Sequence, residues 1–221
     1  MDNQKFWNER YERLPELGSG PGSRAYGAWI KQRLIREVVA KHQIRSILDI
    51  GCGDLCWLQE DLIADVAYCG CDISQVIVER NRARFPQLQF LLHDVASAAL
   101  PRTADLIVCF DVLIHQIERL AFRRTLRHVL ASLSYIGLIS YLTPGGVSAP
   151  VLPDTPGDVL RDEEQLLRFL KDSSFPRAQV ASHGDLIQQI SRLAPELNTK
   201  AVASYPSQTI YEVSAGQRRS A

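Results

Sequence analysis

Apolar residues recur along this chain with two different spacings, which predict alternating helices and strands. Between 26 and 41 they return every four positions, at Ile30, Leu34 and Val38, as on one face of a helix. Other apolar runs are too short for helices and are bounded by glycine, proline or acidic residues, which is typical of buried strands. The predicted helices span 2–14, 26–41, 56–62, 74–85, 119–133, 162–171 and 184–193. The predicted strands span 44–50, 66–72, 89–94, 105–110, 135–142, 200–205 and 208–213.

This alternation predicts an α/β fold, with a doubly wound, mostly parallel seven-stranded sheet and helices on both faces. The last two strands, joined by a turn at Pro206, predict an antiparallel C-terminal hairpin. A length of 221 residues suits a single domain, 1–221, in which we interpret residues 1–30 as an N-terminal cap. Prolines interrupt the start of 143–198, which we interpret as an insertion or lid between strands five and six.

The first predicted strand runs into a turn built on two glycines, in the sequence DIGCGD. Gly51 and Gly53 follow Asp49 there, and glycines directly after a strand let a ligand approach the backbone closely. A dinucleotide-binding fingerprint needs a further glycine three positions later, where this chain has Cys56. The turn therefore predicts a nucleotide-like ligand and counts against a nicotinamide cofactor.

Acidic residues follow the next three predicted strands, at Asp72, Asp94 and Asp111. The carboxyl ends of parallel strands meet at one edge of a sheet, where ligands of such folds bind. Asp72 comes about 20 residues after the glycine turn, which suits a carboxylate that accepts both hydroxyls of a ribose. Each acid alone is better explained as a helix cap or turn former. Their joint occurrence favours a ligand site.

The DIGCGD turn and the spaced acids resemble class I S-adenosylmethionine-dependent methyltransferases, which have a Rossmann-like fold. The resemblance implies S-adenosylmethionine as cofactor, with its methionine part over the glycines and its ribose on Asp72. Asp94 would accept the adenine amino group, and Ile73 and Val95 would pack on the adenine plane. Leu55 departs from the family, in which many members have a third glycine at that position. The implied cofactor site comprises Asp49, Gly51, Cys52, Gly53, Asp72, Ile73, Asp94, Val95, Asp111 and Lys31.

The N-terminal region resembles a group of small bacterial methyltransferases with a Trp-Tyr helix, a Gly-Ser loop and a helical lysine. The matching residues here are Trp7, Tyr11, the loop 18–23 and Lys31. The loop has little bulk, and its amides and serine hydroxyls suit an anion, so it is a candidate to close over the cofactor carboxylate or the substrate. A flexible linker is the alternative interpretation.

His115 is the candidate catalytic residue, because it follows the fourth strand by a few positions and a neutral imidazole accepts protons near neutral pH. The alternative is that it only orients the substrate. His93 is predicted to be structural, since strand alternation places it on the opposite face from Asp94.

The balanced charge of the chain favours a small or neutral molecule as its binding partner. Lysine plus arginine and aspartate plus glutamate both number 25, so no net charge attracts nucleic acid or an acidic membrane surface. Five cysteines without a C-x-x-C pair predict structural thiols and no metal site. The start of the chain has no signal-peptide pattern and no apolar stretch has membrane-spanning length, so we expect a cytoplasmic protein. The oligomeric state is open.

The leading hypothesis is S-adenosylmethionine-dependent methyl transfer to an oxygen or nitrogen of a small molecule. The N-terminal resemblance associates such enzymes with glycan precursors or secondary metabolites. Two alternatives stay open: a noncatalytic binding module that retains the fold, which Leu55 allows, and an NAD-dependent oxidoreductase, which Cys56 disfavours.

Overall fold

A computed structural model of the chain describes residues 2–16, 18–100, 102–142, 152–172, 178–205 and 208–216. The helices are α1 Asn3–Arg13, α2 Ala25–His42, α3 Gln75–Arg84, α4 Arg119–Ala131, α5 Gly157–Asp172 and α6 Leu186–Leu193. Short 3₁₀ turns occur at Pro21–Ser23, Glu60–Leu62 and Leu113–His115. The strands are β1 Ser46–Ile50, β2 Ala67–Asp72, β3 Gln89–Leu92, β4 Ala104–Cys109, β5 Leu133–Leu142, β6 Asn198–Tyr205 and β7 Gln208–Ser214.

The seven strands of the described residues form one sheet in the order β3-β2-β1-β4-β5-β7-β6. Strands β1 to β5 run parallel, and β7 is antiparallel to both β5 and β6. The predicted fold class, with its antiparallel C-terminal hairpin, is confirmed. The predicted turn at Pro206 lies outside the described residues.

Two hydrophobic layers cover the sheet because successive side chains of a strand point to opposite faces. On one face, Leu106 of β4 packs in the same cluster as Ile35 of α2. On the other face, Ile107 packs with Phe122 of α4. Both faces of the central strands are therefore buried under helices, and the edge where the parallel strands end is the place left for a site.

Two element boundaries differ from the sequence prediction. The predicted helix 56–62 is reduced to the turn Glu60–Leu62, since Leu55 has a φ of 54°, a left-handed conformation that does not start a helix. The predicted 1–30 boundary falls inside α2, because Arg24 is its N-cap and the helix begins at Ala25. The part of the cap that precedes the core is thus α1 and the loop after it.

Asp49 is a buried acid that makes stability depend on pH. Its Oδ2 accepts a hydrogen bond from the Tyr68 hydroxyl at 2.7 Å, and burial raises the pKa of Asp49 to about 7 although that bond opposes the shift. The folded state therefore keeps a proton that the unfolded chain releases at about pH 4. It follows that this contribution to stability is complete below pH 4 and is lost as the pH rises through 7.

We expect the substitution Asp49→Asn to flatten the pH dependence of stability, because it removes the ionisation. Between pH 5 and pH 8 the variant should lose less unfolding free energy than the wild type, as measured by urea titration at each pH. Asp65→Asn, at an exposed acid in the turn before β2, is the matched control. Parallel curves for Asp49→Asn and the wild type would contradict the expectation.

Candidate active site

A cavity of about 690 Å³, including its open mouth, lies beyond the carboxyl ends of β1 to β4. Residues that follow the strands form one wall, and α1 with the loop after it forms the other. The lining comprises Asn3, Trp7, Tyr11, Ser19, Ser23, Ile50, Gly51, Cys71, Asp72, Ile73, His93, Asp94, Val95, Phe110, Asp111, Val112, His115 and Gln116.

The glycine turn at the end of β1 needs glycine for both conformation and space. Gly51 has a φ of 71°, and a Cβ there would lie 2.3 Å from Val112 Cγ2. Gly53 has a φ of 57°, and a Cβ there would lie 2.0 Å from Ser19 Oγ. A larger residue at either position would therefore collide with Val112 or Ser19, and Gly51 itself lines the cavity.

Leu55, which departs from the family glycine, does not fill the cavity. Its side chain is buried in the same hydrophobic cluster as Tyr26 and Trp57, and Leu55 is not among the residues that line the cavity. The leucine side chain is therefore accommodated in the hydrophobic core.

Asp72 presents a fixed carboxylate to the cavity. Its Oδ2 accepts from the Gly53 amide at 3.0 Å and its Oδ1 from the Ser74 amide at 2.9 Å. Burial raises the pKa of Asp72 to about 6, against the effect of these amides. Each oxygen retains a lone pair beyond these bonds, so the group can accept two more hydrogen bonds from a ligand. Ile73 lines the cavity beside it.

Asp94 also lines the cavity, but its carboxylate is engaged locally. It accepts from the Ala96 amide at 2.9 Å and from the Ser97 hydroxyl, which is the pattern of a turn former. Val95 is buried and lines the cavity next to it. A ligand that bonds to Asp94 would share the carboxylate with this turn.

His93 is among the residues that line the cavity, one position beyond the end of β3 at Leu92. The Nε2 atom of His93 lies 3.0 Å from the Ala98 carbonyl oxygen, to which it must donate.

Four residues assigned to the cofactor site lie outside the lining of the cavity. The Asp49 carboxyl is bonded to Tyr68, and Cys52 is buried in the hydrophobic core. Gly53 lies against Ser19, and its backbone amide donates a hydrogen bond to the Asp72 carboxylate. The side chain of Lys31 is fully buried beneath the site. Direct ligand contact by these four is therefore not supported by their positions, and their contacts support neighbouring groups instead.

Asp111 is held by four hydrogen-bond donors. Its Oδ2 accepts from Lys31 Nζ at 2.7 Å, and its Oδ1 from Gln208 Nε2 at 2.5 Å, from Ser140 Oγ at 3.3 Å and from the Tyr205 hydroxyl. Burial alone would raise the pKa of Asp111, but the Lys31 ammonium and the other donors hold it below its usual value. Asp111 is therefore held as an ionised carboxylate, and its lowered pKa makes it unsuited to take a proton.

His115, on the 3₁₀ turn after β4, has one nitrogen engaged. Its Nδ1 lies 2.8 Å from the Gln179 carbonyl oxygen, and because a carbonyl only accepts, Nδ1 carries the proton and Nε2 the lone pair. Burial lowers the pKa of His115, which keeps the ring neutral at pH 7. The ring packs edge-on against Trp7 at 5.2 Å between centroids. This neutral tautomer suits a proton acceptor.

The glycine-serine loop 18–23 binds an anion, but that anion is the chain's own Asp54. The Asp54 carboxylate accepts from the Ser19 amide at 3.1 Å, from the Ser19 hydroxyl at 2.8 Å and from Arg24 at 3.0 Å. Ser19 and Ser23 nevertheless line the cavity. The loop is thus ordered against the glycine turn, and the roles of Asp54 and Arg24 were missed although Asp54 ends the DIGCGD motif.

The insertion between β5 and β6 divides into two parts among its described residues. Helix α5 packs against α2, where Glu163 accepts from the Tyr26 amide at 3.1 Å. Residues 178–183 instead run beside the turn that carries His115: the Ala181 amide donates to the Ile114 carbonyl at 2.9 Å. This segment fixes the His115 ring through the Gln179 carbonyl oxygen.

Within the described part of the chain, no three histidine, cysteine or acidic side chains are grouped to hold a metal ion. None of the helices in those ranges combines the length and apolarity needed to cross a membrane. All five cysteines are unpaired thiols, of which Cys56 is exposed and the others are buried.

Comparison with known proteins agrees with this architecture. Residues 47–137 match the family described as "Methyltransferase domain". A probable S-adenosylmethionine-dependent methyltransferase of Mycobacterium tuberculosis is 29% identical over 138 residues, which are 59% of this chain and 48% of that protein. The chain therefore spans about half the length of the curated relatives it matches.

Solved structures share the fold over nearly the whole chain. Magnesium protoporphyrin IX methyltransferase from Synechocystis PCC 6803, with bound SAH, has a TM-score of 0.63 at 19% identity and 98% coverage of both chains. The N-methyltransferase NodS from Bradyrhizobium japonicum WM9, in complex with S-adenosyl-L-homocysteine, has a TM-score of 0.59 at 14% identity, covering 96% of this chain and 98% of that one. Together with the domain match over 47–137, these likenesses show that the chain has the fold of class I S-adenosylmethionine-dependent methyltransferases, which confirms the resemblance at the level of fold.

Proposed function

We propose that the chain binds S-adenosylmethionine in the cavity and transfers its methyl group to an oxygen or nitrogen of a small molecule. The observation that carries this proposal is the convergence of the Gly51 turn, the Asp72 carboxylate and the neutral His115 ring on one cavity. A noncatalytic module would not need a neutral imidazole with an available lone pair there.

The residues present fit the proposed cofactor. Asp72 offers a buried carboxylate with remaining lone pairs, which suits two neighbouring hydroxyls of a ribose. Ile73 and Val95 are apolar side chains of the lining that suit the adenine plane. Gly51 lines the cavity without a side chain, which suits close approach of the methionine part to the backbone. Asp94 is the candidate acceptor for the adenine amino group, shared with its own turn.

S-adenosylmethionine, when bound, supplies a methyl group already activated by a positive sulfur. The tasks of the chain are to align the acceptor, to exclude water and, where needed, to remove one proton. Trp7 and Tyr11 of α1 cover the cavity and exclude water. Nε2 of His115 is the candidate proton acceptor, and the Gln179 carbonyl holds the ring in the required tautomer. Asp111 takes no part in proton transfer because Lys31 and the other donors hold its pKa below the usual value.

A small substrate is supported by the character of the cavity. Among the described residues that line it, none is a lysine or arginine, so it offers no cationic side chain to a nucleic-acid backbone or a multiply charged phosphate ester. The wall near His115 consists of Trp7, Asn3, Val112 and Gln116, which are neutral. We propose a neutral or amine-bearing acceptor, with a glycan precursor or secondary metabolite as the class to examine first. We further propose that 1–221 is one domain in which α1 and residues 178–183 form the acceptor side.

The proposed transfer is tested with S-adenosylmethionine that carries a deuterated methyl group. The purified chain is incubated with it and with a fractionated small-molecule extract, and products with the corresponding mass increase are sought by mass spectrometry. Labelled product with the wild type but not with Asp72→Ala supports the proposal. S-adenosylhomocysteine binding without any labelled product would favour the noncatalytic module instead.

Cofactor affinity should depend on pH through Asp72. A carboxylate that accepts two hydroxyls must be ionised, and the pKa of Asp72 is raised to about 6. The dissociation constant for S-adenosylhomocysteine should therefore be constant above pH 7 and rise by roughly tenfold per pH unit once the pH falls well below 6. Calorimetry at several pH values measures this. A flat profile down to pH 5 in the folded protein would contradict the role of Asp72.

A further inference from the structure

Lys31 is a buried cation that contacts two groups on opposite sides. Its fully buried side chain places Nζ 2.7 Å from Asp111 Oδ2 and 2.5 Å from the Gly22 carbonyl oxygen. The rings of Phe110 and Tyr205 flank Nζ, with centroids at 5.2 Å and 5.1 Å. Burying an ion pair is a weak source of stability compared with an apolar side chain of the same size. Stabilisation of the core therefore does not explain why Lys31 and Asp111 are buried as an ion pair.

The Asp111 end of this contact is immobile. Its backbone is in the left-handed conformation, with a φ of 61°, directly after β4. The Gln208 amide of β7 and the Ser140 hydroxyl of β5 hold the carboxylate from the sheet, and the Asp111 amide donates back to Ser140 Oγ at 2.8 Å. Because residues of both β5 and β7 bond to it, the Asp111 carboxylate is held in a fixed position at the carboxyl edge of the sheet.

Gly22, the other partner of Lys31, belongs to the loop 18–23, which packs closely against Asp111. A Cβ on Gly22 would lie 2.6 Å from Asp111 Oδ2, and a Cβ on Gly27 of α2 would lie 2.5 Å from the Gly22 carbonyl oxygen. Ser23, the next residue, lines the cavity, as does Ser19 at the other side of the loop. A displacement of Gly22 would therefore move part of the cavity wall.

We infer that Lys31 and Asp111 are positioning residues, which fix the 18–23 loop against the end of β4 and so set the shape of the cavity. Lys31 acts through the Gly22 carbonyl and does not touch the ligand. The position of the loop is a property of the unliganded protein. Its consequence for affinity rests on the proposed function, because it concerns S-adenosylhomocysteine.

The test compares amide hydrogen exchange and S-adenosylhomocysteine affinity in Lys31→Met and the wild type. In the unliganded variant, exchange in 18–24 should be at least about tenfold faster, while amides of β1 and β4 keep their protection. The dissociation constant should rise by roughly tenfold. Lys31→Met leaves Asp111 without its ammonium, so the double variant Lys31→Met/Asp111→Asn removes the unpaired charge and is expected to show the same loop exchange in a stable fold.

Two control variants separate positioning from general stability. Arg36→Met removes an exposed cation from the same helix, whose partner is Asp61 at 3.0 Å, and should change neither quantity. Leu126→Ala in α4 lowers the unfolding midpoint from the opposite core and should leave loop exchange and affinity unchanged.

The possible results are distinguishable. Unchanged exchange of 18–24 in both Lys31 variants would overturn the inference, as would faster loop exchange with unaltered affinity. Equal changes in Leu126→Ala would also overturn it, since a merely structural role would then suffice. If the wild type fails to bind S-adenosylhomocysteine, the proposed function is contradicted, whereas faster loop exchange in the unliganded Lys31 variants would still support the positioning role.

Discussion

Asp72→Ala is expected to reduce S-adenosylhomocysteine affinity by about a hundredfold or more. The substitution removes both hydrogen bonds from an ionised carboxylate to the ribose, each worth roughly 1.5 to 3 kcal/mol. The loss is amplified because the same carboxylate orders the Gly53 and Ser74 amides beside the cavity. Isothermal titration calorimetry on the folded variant measures the change.

Two aspartate variants serve as controls for Asp72→Ala. Asp94→Ala should cost less than tenfold, because that carboxylate is shared with the Ala96 amide and the Ser97 hydroxyl. Asp65→Ala, at an exposed position on the turn before β2, should leave affinity unchanged. If Asp72→Ala folds and binds as tightly as the wild type, the assignment of the whole cofactor site is wrong.

His115→Asn is expected to reduce turnover by roughly a hundredfold while cofactor affinity is kept. Asparagine remains polar and can still hydrogen-bond, but it cannot take up a proton. The burial that lowers the pKa of His115 keeps the wild-type ring neutral, so its activity should persist to moderately acidic pH. The deficit of the variant should shrink at high pH, where an acceptor hydroxyl ionises without help.

His93→Asn is the matched control, since His93 lines the same cavity but uses Nε2 to bond the Ala98 carbonyl. It should leave the pH dependence of turnover unaltered. A loss of only a few-fold in His115→Asn, or an equal loss at every pH, would show that His115 positions the acceptor without removing a proton. An amine acceptor, which is nucleophilic once neutral, would then be favoured over a hydroxyl.

The fold was predictable because its determinants are local. Apolar runs that end at Asp49, Asp72 and the acids after β3 and β4 mark strands whose carboxyl ends share one edge, and the periodicity of α2 is visible over its whole length. The helix predicted at 56–62 failed because backbone conformation at one residue, Leu55, decided the local structure. The pattern of apolar residues alone does not indicate that Leu55 adopts a left-handed backbone conformation.

The candidate site was predictable only in part, because several of its contacts join residues that are far apart in the sequence. Asp72 and His115 stand at characteristic distances from strand ends, whereas the bond from Lys31 to Asp111 joins positions 80 residues apart and the bonds from Ser19 to Asp54 join positions 35 residues apart. No local pattern reveals which distant side chains meet. The resemblance places Lys31 at the cofactor site, and the structure adds that its ammonium is bonded to Asp111 and the Gly22 carbonyl.

We propose the cavity at the end of β1 to β4 as a site for S-adenosylmethionine. Calorimetric titration of the purified chain with S-adenosylhomocysteine, and separately with NAD, is the decisive measurement. S-adenosylhomocysteine should bind at one site per chain, Asp72→Ala should weaken this binding by about a hundredfold or more, and NAD should not bind. Binding of NAD alone, or of neither compound, to the folded chain would show that the cavity is not such a site.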